Sequence, residues 1–231
     1  MITRKPDGLS SQIYNDLKKK IEEFEIKPGD RISETTLASV YNVSRTPIKH
    51  SLARLENEEL IFVRPQVGTF VSKIDTVHIH EFFTIRMLLE VSILDEVMSL
   101  SDTKLLDDLT ANITAQRNLL KESVENEELD VARIFWKLDN AFHKLIFDAV
   151  GKGFIWKFIM SQSSQFNRYR LLTVSNNVTY LEQKVNEHEG ILNYLRNPNN
   201  KDAKAIYNNH LFTTLESTTN ELKEKYPDYF E

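Results

Sequence analysis

The sequence predicts a mostly α-helical chain in two parts: three helices with a two-stranded β wing, then an antiparallel bundle of six helices. Two observations carry that prediction. Residues 33 to 73, SETTLASVYNVSRTPIKHSLARLENEELIFVRPQVGTFVSK, place two short amphipathic segments before two short β-rich runs. From about residue 76 onward, apolar residues recur at spacings of three and four with little glycine between them, which is the helical period.

Each element of the first part follows from local rules. Ser33 is a good N-cap for a helix whose apolar residues Leu37, Val40 and Tyr41 face one side, and Asn42 can end it in the left-handed conformation. Ser44 is placed to cap a second helix through its side-chain oxygen, with Pro47 in the first turn, where a missing N–H costs nothing. Ile48, Leu52 and Leu55 then face a core. Arg45, Thr46, Lys49 and His50 stay outside, so a cationic surface sits at the helix start. The runs IFV and TFV flank Arg64 to Gly68, a connection containing Pro and Gly that suits a hairpin. Gly68 lets the backbone come close to a groove because it carries no side chain. Two short helices and a hairpin that present these cations form a DNA-reading module.

The segment resembles the winged helix-turn-helix of the GntR superfamily, whose pattern is close to LxExxLAxxxxVSRTPVRxALxxLxxxGL followed by a wing containing Gly. The resemblance spans roughly residues 9 to 73. It implies that Arg45, Thr46 and Lys49 contact base edges or phosphates, with Gly68 at the wing tip; Ser44 and Arg64 are expected on the same DNA-binding surface. Three positions depart from the pattern: Lys49 stands where the family favours Arg, His50 where it favours Glu, and Thr35 where many members place another Arg. Lys lacks the planar fork with which Arg grips guanine, so base readout at Lys49 differs from that of the family.

Composition bounds the whole chain. Its 231 residues suffice for a DNA-binding domain over 1–74 and a larger domain over 75–231. There is no cysteine, the start MITRKPDGLS is polar, and no apolar run approaches the length of a membrane span, so the expected location is the cytoplasm. Net charge is −5 but unevenly placed: residues 1 to 73 hold 12 Lys and Arg against 10 Asp and Glu, a balance of +2, leaving 17 against 24, or −7. That fits a DNA-binding head on a body that gains nothing from touching phosphate.

The second part is punctuated at Ser101-Asp102, Glu125 to Glu127, Gly151 to Gly153, Ser175 to Asn177 and Asn197 to Asn200, which divides it into six helices. Asp139 and His143 are four apart on one of them and share a face. His188 precedes the Pro198-Asn199 turn by 10 residues and His210 follows it by 11, so an antiparallel hairpin brings both imidazoles level. One carboxylate and three imidazoles can then share a divalent transition metal; the donors suit zinc, nickel, iron or manganese, with zinc or nickel foremost. Chance spacing is the competing reading of the Asp-x-x-x-His pair.

The segments LDNAFHKLIFDAV and EHEGILNYLRNPNNKDAKAIYNNHL resemble the FCD class of regulators, named for the C-terminal domain of the fatty-acid regulator FadR. Many members bind a metal through an Asp-x-x-x-His pair and two later histidines. The resemblance covers residues 76 to about 220 and implies the ligand set Asp139, His143, His188 and His210. Gly151-Lys152-Gly153 departs from the Gly-Asn common in the family.

A divalent cation with one carboxylate leaves a local charge near +1, which favours an anionic oxygen ligand. Arg86 shares a helical stripe with Phe82, Phe83 and Leu89. The resemblance implies that it grips the carboxylate of a small organic acid effector; an internal salt bridge to Glu90 is the alternative. Arg168 and Arg170 are further candidates, and the aromatic series Phe135, Trp136, Phe142, Phe147, Phe154 and Trp156 reads as core. The function that follows is a transcriptional regulator, a repressor in the first instance, binding a double-stranded palindromic operator as a homodimer, since one recognition helix reads few base pairs. A metal-dependent hydrolase or lyase carrying a DNA-binding domain is the alternative. It lacks a clear acid or base, because Glu187 and Glu189 point about 100° to either side of His188 on an ideal helix.

Overall fold

A computed structural model describes residues 6–100, 102–126, 130–176, 179–197, 202–213 and 215–231. The chain divides into two compact units, one comprising Met1–Ile79, Gln162–Tyr169 and Leu222–Glu231, the other His80–Ser161 and Arg170–Glu221.

In the first unit, α1 (Pro6–Glu22), α2 (Glu34–Val40) and α3 (Arg45–Asn57) pack with a sheet of β1 (Arg31–Ile32), β2 (Ile61–Arg64) and β3 (Gly68–Val71). The four-residue spacing of Ile13, Leu17 and Ile21 makes one buried stripe on α1, and Ile48, Leu52 and Leu55 make another on α3. Leu60, Ile61 and Val71 complete the core between them. Ser33 caps α2 by accepting the Thr36 N–H at 3.3 Å, and Asn42 follows that helix at φ 52, as its side chain permits. Two details depart from expectation. Val40 lies outward, 68% exposed, because Leu37, Ala38 and Tyr41 already fill the side of α2 that meets the core. The wing has a third strand: β1 pairs antiparallel with β3, giving the order β1-β3-β2. Two residues are too few to show an alternating pattern.

The second unit is built on α4 (Thr76–Met98), α5 (Thr103–Glu125), α6 (Val131–Ala149), α7 (Gly153–Ser161), α8 (Ser164–Asn176), α9 (Thr179–Arg196), α10 (Ala203–Phe212) and α11 (Leu215–Lys225), of which α4, α8 and α11 run across the unit boundary. Two of the six expected helices are each split in two. FIWKFIMSQSSQFNRYRLL breaks at Gln162-Ser163, where polar side chains compete with the helical ladder; α8 restarts with the Asn167 N–H donating to the Ser163 carbonyl at 2.7 Å. The last segment breaks after Phe212, giving α10 and α11. Ser101, Glu127, Asn177 and the Pro198-Asn199 turn lie outside the described residues. α5 packs against α6 and α9, and α9 against α10. The aromatic series is core except for Phe154, which is 79% exposed on α7.

Candidate functional site

At the start of α3, Ser44 is extended (φ −69, ψ 166) and holds the N-cap position, but its side chain makes no capping hydrogen bond, contrary to the sequence expectation. The hydroxyl is left exposed beside Arg45, Thr46, Lys49 and His50, which are all exposed, while Ile48 turns inward and fixes the phase of the helix. The helix start is the positive end of its dipole, so these side chains and the first N–H groups favour the same anionic partner.

The wing differs from its expected form in one respect. Arg64 pairs with Gly68 across the hairpin, so the tip is Pro65, Gln66 and Val67, and Gly68 is the first residue of β3 rather than the tip itself. Glycine is required there for another reason: φ is 148, and a Cβ would lie 2.8 Å from Arg31 Nε. Arg31, which the sequence did not single out, donates from Nη2 to the Val67 carbonyl at 2.9 Å and so ties β1 to the tip. Arg64 is exposed, with its guanidinium over the rings of Phe62 (5.3 Å) and Phe70 (5.8 Å).

The second unit brings all four expected ligands together. Asp139 and His143 come from the buried face of α6, His188 from α9 and His210 from α10; each is at most 3% exposed, and one donor atom from each lies within 4.8 Å of the others. His210 Nε2 is 3.2 Å from His143 Nε2, and His188 Nε2 and His143 Nε2 are 3.4 and 4.0 Å from Asp139 Oδ1. Donor atoms bound at roughly 2.0–2.2 Å to one ion stand about 3–4 Å apart, so these separations fit a metal.

Hydrogen bonding fixes which ring nitrogen faces the centre. Gln116 donates from Nε2 to Asn112 Oδ1 at 2.7 Å, so its Oε1 accepts from His188 Nδ1 at 2.8 Å. Glu90 Oε2 is 2.6 Å from His143 Nδ1, and Glu187 Oε2 is 3.0 Å from His210 Nδ1. With the Nδ1 protons of His188 and His210 held outward, their Nε2 lone pairs converge with His143 Nε2 beside the Asp139 carboxylate. That is the tautomer a metal needs, with the outer partners a metal-binding imidazole ordinarily has.

The electrostatics agree. Burial would raise Asp139, but His188, His143 and Arg170 outweigh it and hold its carboxyl well below the usual range. Burial likewise opposes ionisation of Glu90, yet Arg86 and His143 bring it down to about 2. Burial, followed by the Lys184 ammonium and the neighbouring imidazoles, pushes His210 well below the ordinary value. Burial also lowers His188, against the pull of Asp139. The carboxylate is therefore ionised and these two imidazoles neutral near pH 7, the forms that bind metal.

The remaining candidates separate clearly. Arg86 is buried and donates from Nε to Glu90 Oε1 at 2.6 Å, so the internal salt bridge exists; its guanidinium also stands 5.5 Å from the Trp156 ring. Arg170 reaches the site, with Nη1 3.5 Å from Asp139 Oδ2 and donating to Asn140 Oδ1 at 3.0 Å. Arg168, on the part of α8 that belongs to the first unit, is directed elsewhere and donates to the carbonyls of Ser72 and Lys73 of that same unit. Glu189 pairs with Arg117 at the surface, but Glu187 is part of the site. A residue one step from His188 on α9 turns toward α10, where the next ligand sits. Gln116, Glu187 and Lys184 were not foreseen as supporting residues, because their partners lie on other helices.

The chain matches the family model described as bacterial regulatory proteins, gntR family, over residues 9–71, and the FCD domain over residues 81–213. It therefore belongs to the GntR family of bacterial transcriptional regulators, in the group that carries an FCD domain. A Streptomyces ambofaciens HTH-type transcriptional regulator in an unstable DNA locus is 30% identical over 167 residues, covering 72% of this chain and 67% of that one. The Escherichia coli transcriptional repressor RspR is 26% identical over 222 residues, covering 96% and 93%. The Bacillus subtilis gluconate operon transcriptional repressor is 27% identical over 144 residues, covering 62% and 56%. The same fold occurs in Escherichia coli McbR/YncC (TM-score 0.64, 19% identity, 94% of this chain and 98% of that one). It also occurs in a regulator from Rhodococcus sp. RHA1 (TM-score 0.65, 16% identity, 91% and 97%). These families and relatives are transcriptional regulators, not enzymes. Among the described residues no helix is long and apolar enough to cross a membrane.

Proposed function

We propose that the protein is a cytoplasmic, homodimeric repressor that reads a palindromic operator through residues 1–74 and senses a small organic acid through residues 75–231. In this reading Ser44, Arg45, Thr46, Lys49 and Arg64 face DNA, and Gly68 shapes the wing that carries Arg64. Asp139, His143, His188 and His210 hold a divalent transition metal, zinc or nickel by donor type. The observation that supports the reading is the convergence of three Nε2 atoms on one carboxylate, with His188 and His210 hydrogen-bonded from behind and Glu90 2.6 Å from His143 Nδ1.

When bound, the metal supplies coordination positions for anionic oxygen. Arg86 contributes to the same pocket by sharing its guanidinium between Glu90 and an effector carboxylate, since five N–H donors leave capacity beyond the Glu90 bond. The acid controls DNA affinity if it binds one arrangement of the dimer better than the other.

The test is operator binding. Duplexes selected from a random pool by the metal-loaded protein serve as the operator, and their affinity is measured with and without a panel of sugar acids, hydroxy acids and other small carboxylates. At least one acid is expected to change the affinity several-fold. Unchanged affinity across the panel, with metal bound, would leave a constitutive DNA-binding protein with a structural metal.

A further inference from the structure

Among the described residues of the second unit, the buried Asp, Glu, Lys and Arg side chains are Arg86, Glu90, Asp139, Arg170, Lys184 and Glu187. All six belong to the metal site, and they fall into three pairs. Arg86 binds Glu90 at 2.6 Å, Lys184 binds Glu187 at 2.7 Å, and Arg170 lies 3.5 Å from Asp139. Each carboxylate in turn reaches an imidazole: Glu90 faces His143, Glu187 faces His210, and Asp139 faces His188.

The three carboxylates are thus balanced by three cations before any metal arrives. Counting Asp139 alone against the metal gives a local charge near +1, but Arg170 already answers Asp139, and the other two pairs cancel internally. A divalent ion therefore enters a shell of zero net charge and brings two positive charges that no buried side chain among the described residues of this unit offsets. Charge buried away from water is costly unless it is matched, and Coulomb interactions in this setting are several times stronger than in bulk water. The ligand that completes such a site carries two negative charges. Tyr207 does not supply one, since burial and Glu90 hold its phenol in the neutral form.

We propose that the metal-loaded site selects a dianionic acid, a compact dicarboxylate, over the monocarboxylate of matching size. This rests on the metal-sensing reading above and adds the charge class of the effector. The balance also predicts which residue sets the preference. Lys184 is buried, donates to Glu187 Oε2 and to the His210 carbonyl at 2.5 Å, and is not itself a metal ligand. Lys184→Met removes one positive charge from the shell and leaves room for one negative charge fewer. Lys184→Met combined with Glu187→Gln removes a balanced pair, and the glutamine oxygen can still accept from His210 Nδ1.

The experiment is calorimetric titration of the metal-loaded full chain with malonate against propionate and L-malate against 2-hydroxybutyrate. Each dianion is expected to bind roughly tenfold or more tighter than its partner. Lys184→Met should narrow that ratio, and the double variant should restore it. Equal or tighter binding of the monocarboxylates by the parent protein would overturn the proposal, including binding accompanied by proton release, which would signal hydroxide as the second negative charge. If metal loads and acids bind without regard to charge, this inference fails while the sensing function stands. If no metal loads or no acid binds, both fail.

Discussion

The start of α3 and the centre between α6, α9 and α10 use charge in opposite ways. Arg45 and Lys49 stand in solvent, while Asp139, Glu90, Arg86 and Lys184 are buried and each faces an opposite charge. An exposed cation stays hydrated until a phosphate or base replaces that water, so the surface needs only helix phase and a cap position to be presented. A buried charge must be matched within the fold, so the inner site depends on residues from six helices: α4, α5, α6, α8, α9 and α10. Local sequence therefore suffices for one region, while the other is an assembly of distant segments.

Substitutions test that contrast, beginning with the largest effect. His143→Ala removes a central ligand and should abolish stoichiometric metal binding, as read by elemental analysis, while operator binding by the first unit persists. Arg45→Ala should do the reverse, lowering specific operator affinity roughly 10- to 100-fold per half-site in a fluorescence titration, with metal content unchanged. If both variants lost the same property, the division of labour between the two regions would be wrong.

Glu90→Gln keeps the shape but removes the negative charge behind His143. Metal affinity should fall on the order of 10- to 100-fold by competition with a chelator of known affinity. An unchanged affinity would mean that the carboxylate serves Arg86 alone.

The contrast also predicts a pH dependence. His188 and His210 are held below the ordinary 6.5, so below that value the unfolded chain takes up protons that the folded chain refuses. Stability of the metal-free protein should therefore fall as pH drops from 6.5 toward the lowered folded-state values. Asp139 and Glu90 are shifted downward as carboxylates, so their contribution is present above the ordinary 3.8 and 4.5 and is lost only as pH falls through their folded values. Thermal melts between about pH 8 and about pH 5 read the histidine part alone; a flat profile would show that the imidazoles do not govern it.

The smallest effect expected is that of Gly68→Ala, which sets a Cβ against Arg31 at φ 148 and should cost about 1 kcal/mol of stability in denaturant unfolding.

Much of this was legible in the sequence because the signals were short-range. The Ile48, Leu52 and Leu55 spacing fixed which side of α3 faces out, and the Asp139-His143 spacing fixed a shared face on α6. Long-range partners were harder to foresee. Glu187 reads as pointing away from the metal when α9 is considered alone, and only its approach to α10 reveals it as the residue that orients His210. Gln116 supports His188 across 72 positions of sequence, and no periodicity connects them. Arg31 was hidden for a different reason: its strand is two residues long, and its role at the wing depends on the conformation of Gly68.

Native mass spectrometry of the untagged protein, purified without chelator beside its His143→Ala variant, tests the central claim most directly, because one spectrum reports oligomer mass and bound metal together. The account predicts a dimer carrying one divalent metal per chain, with the metal absent from the variant dimer. A metal-free parent, or a variant that keeps its metal, would contradict it.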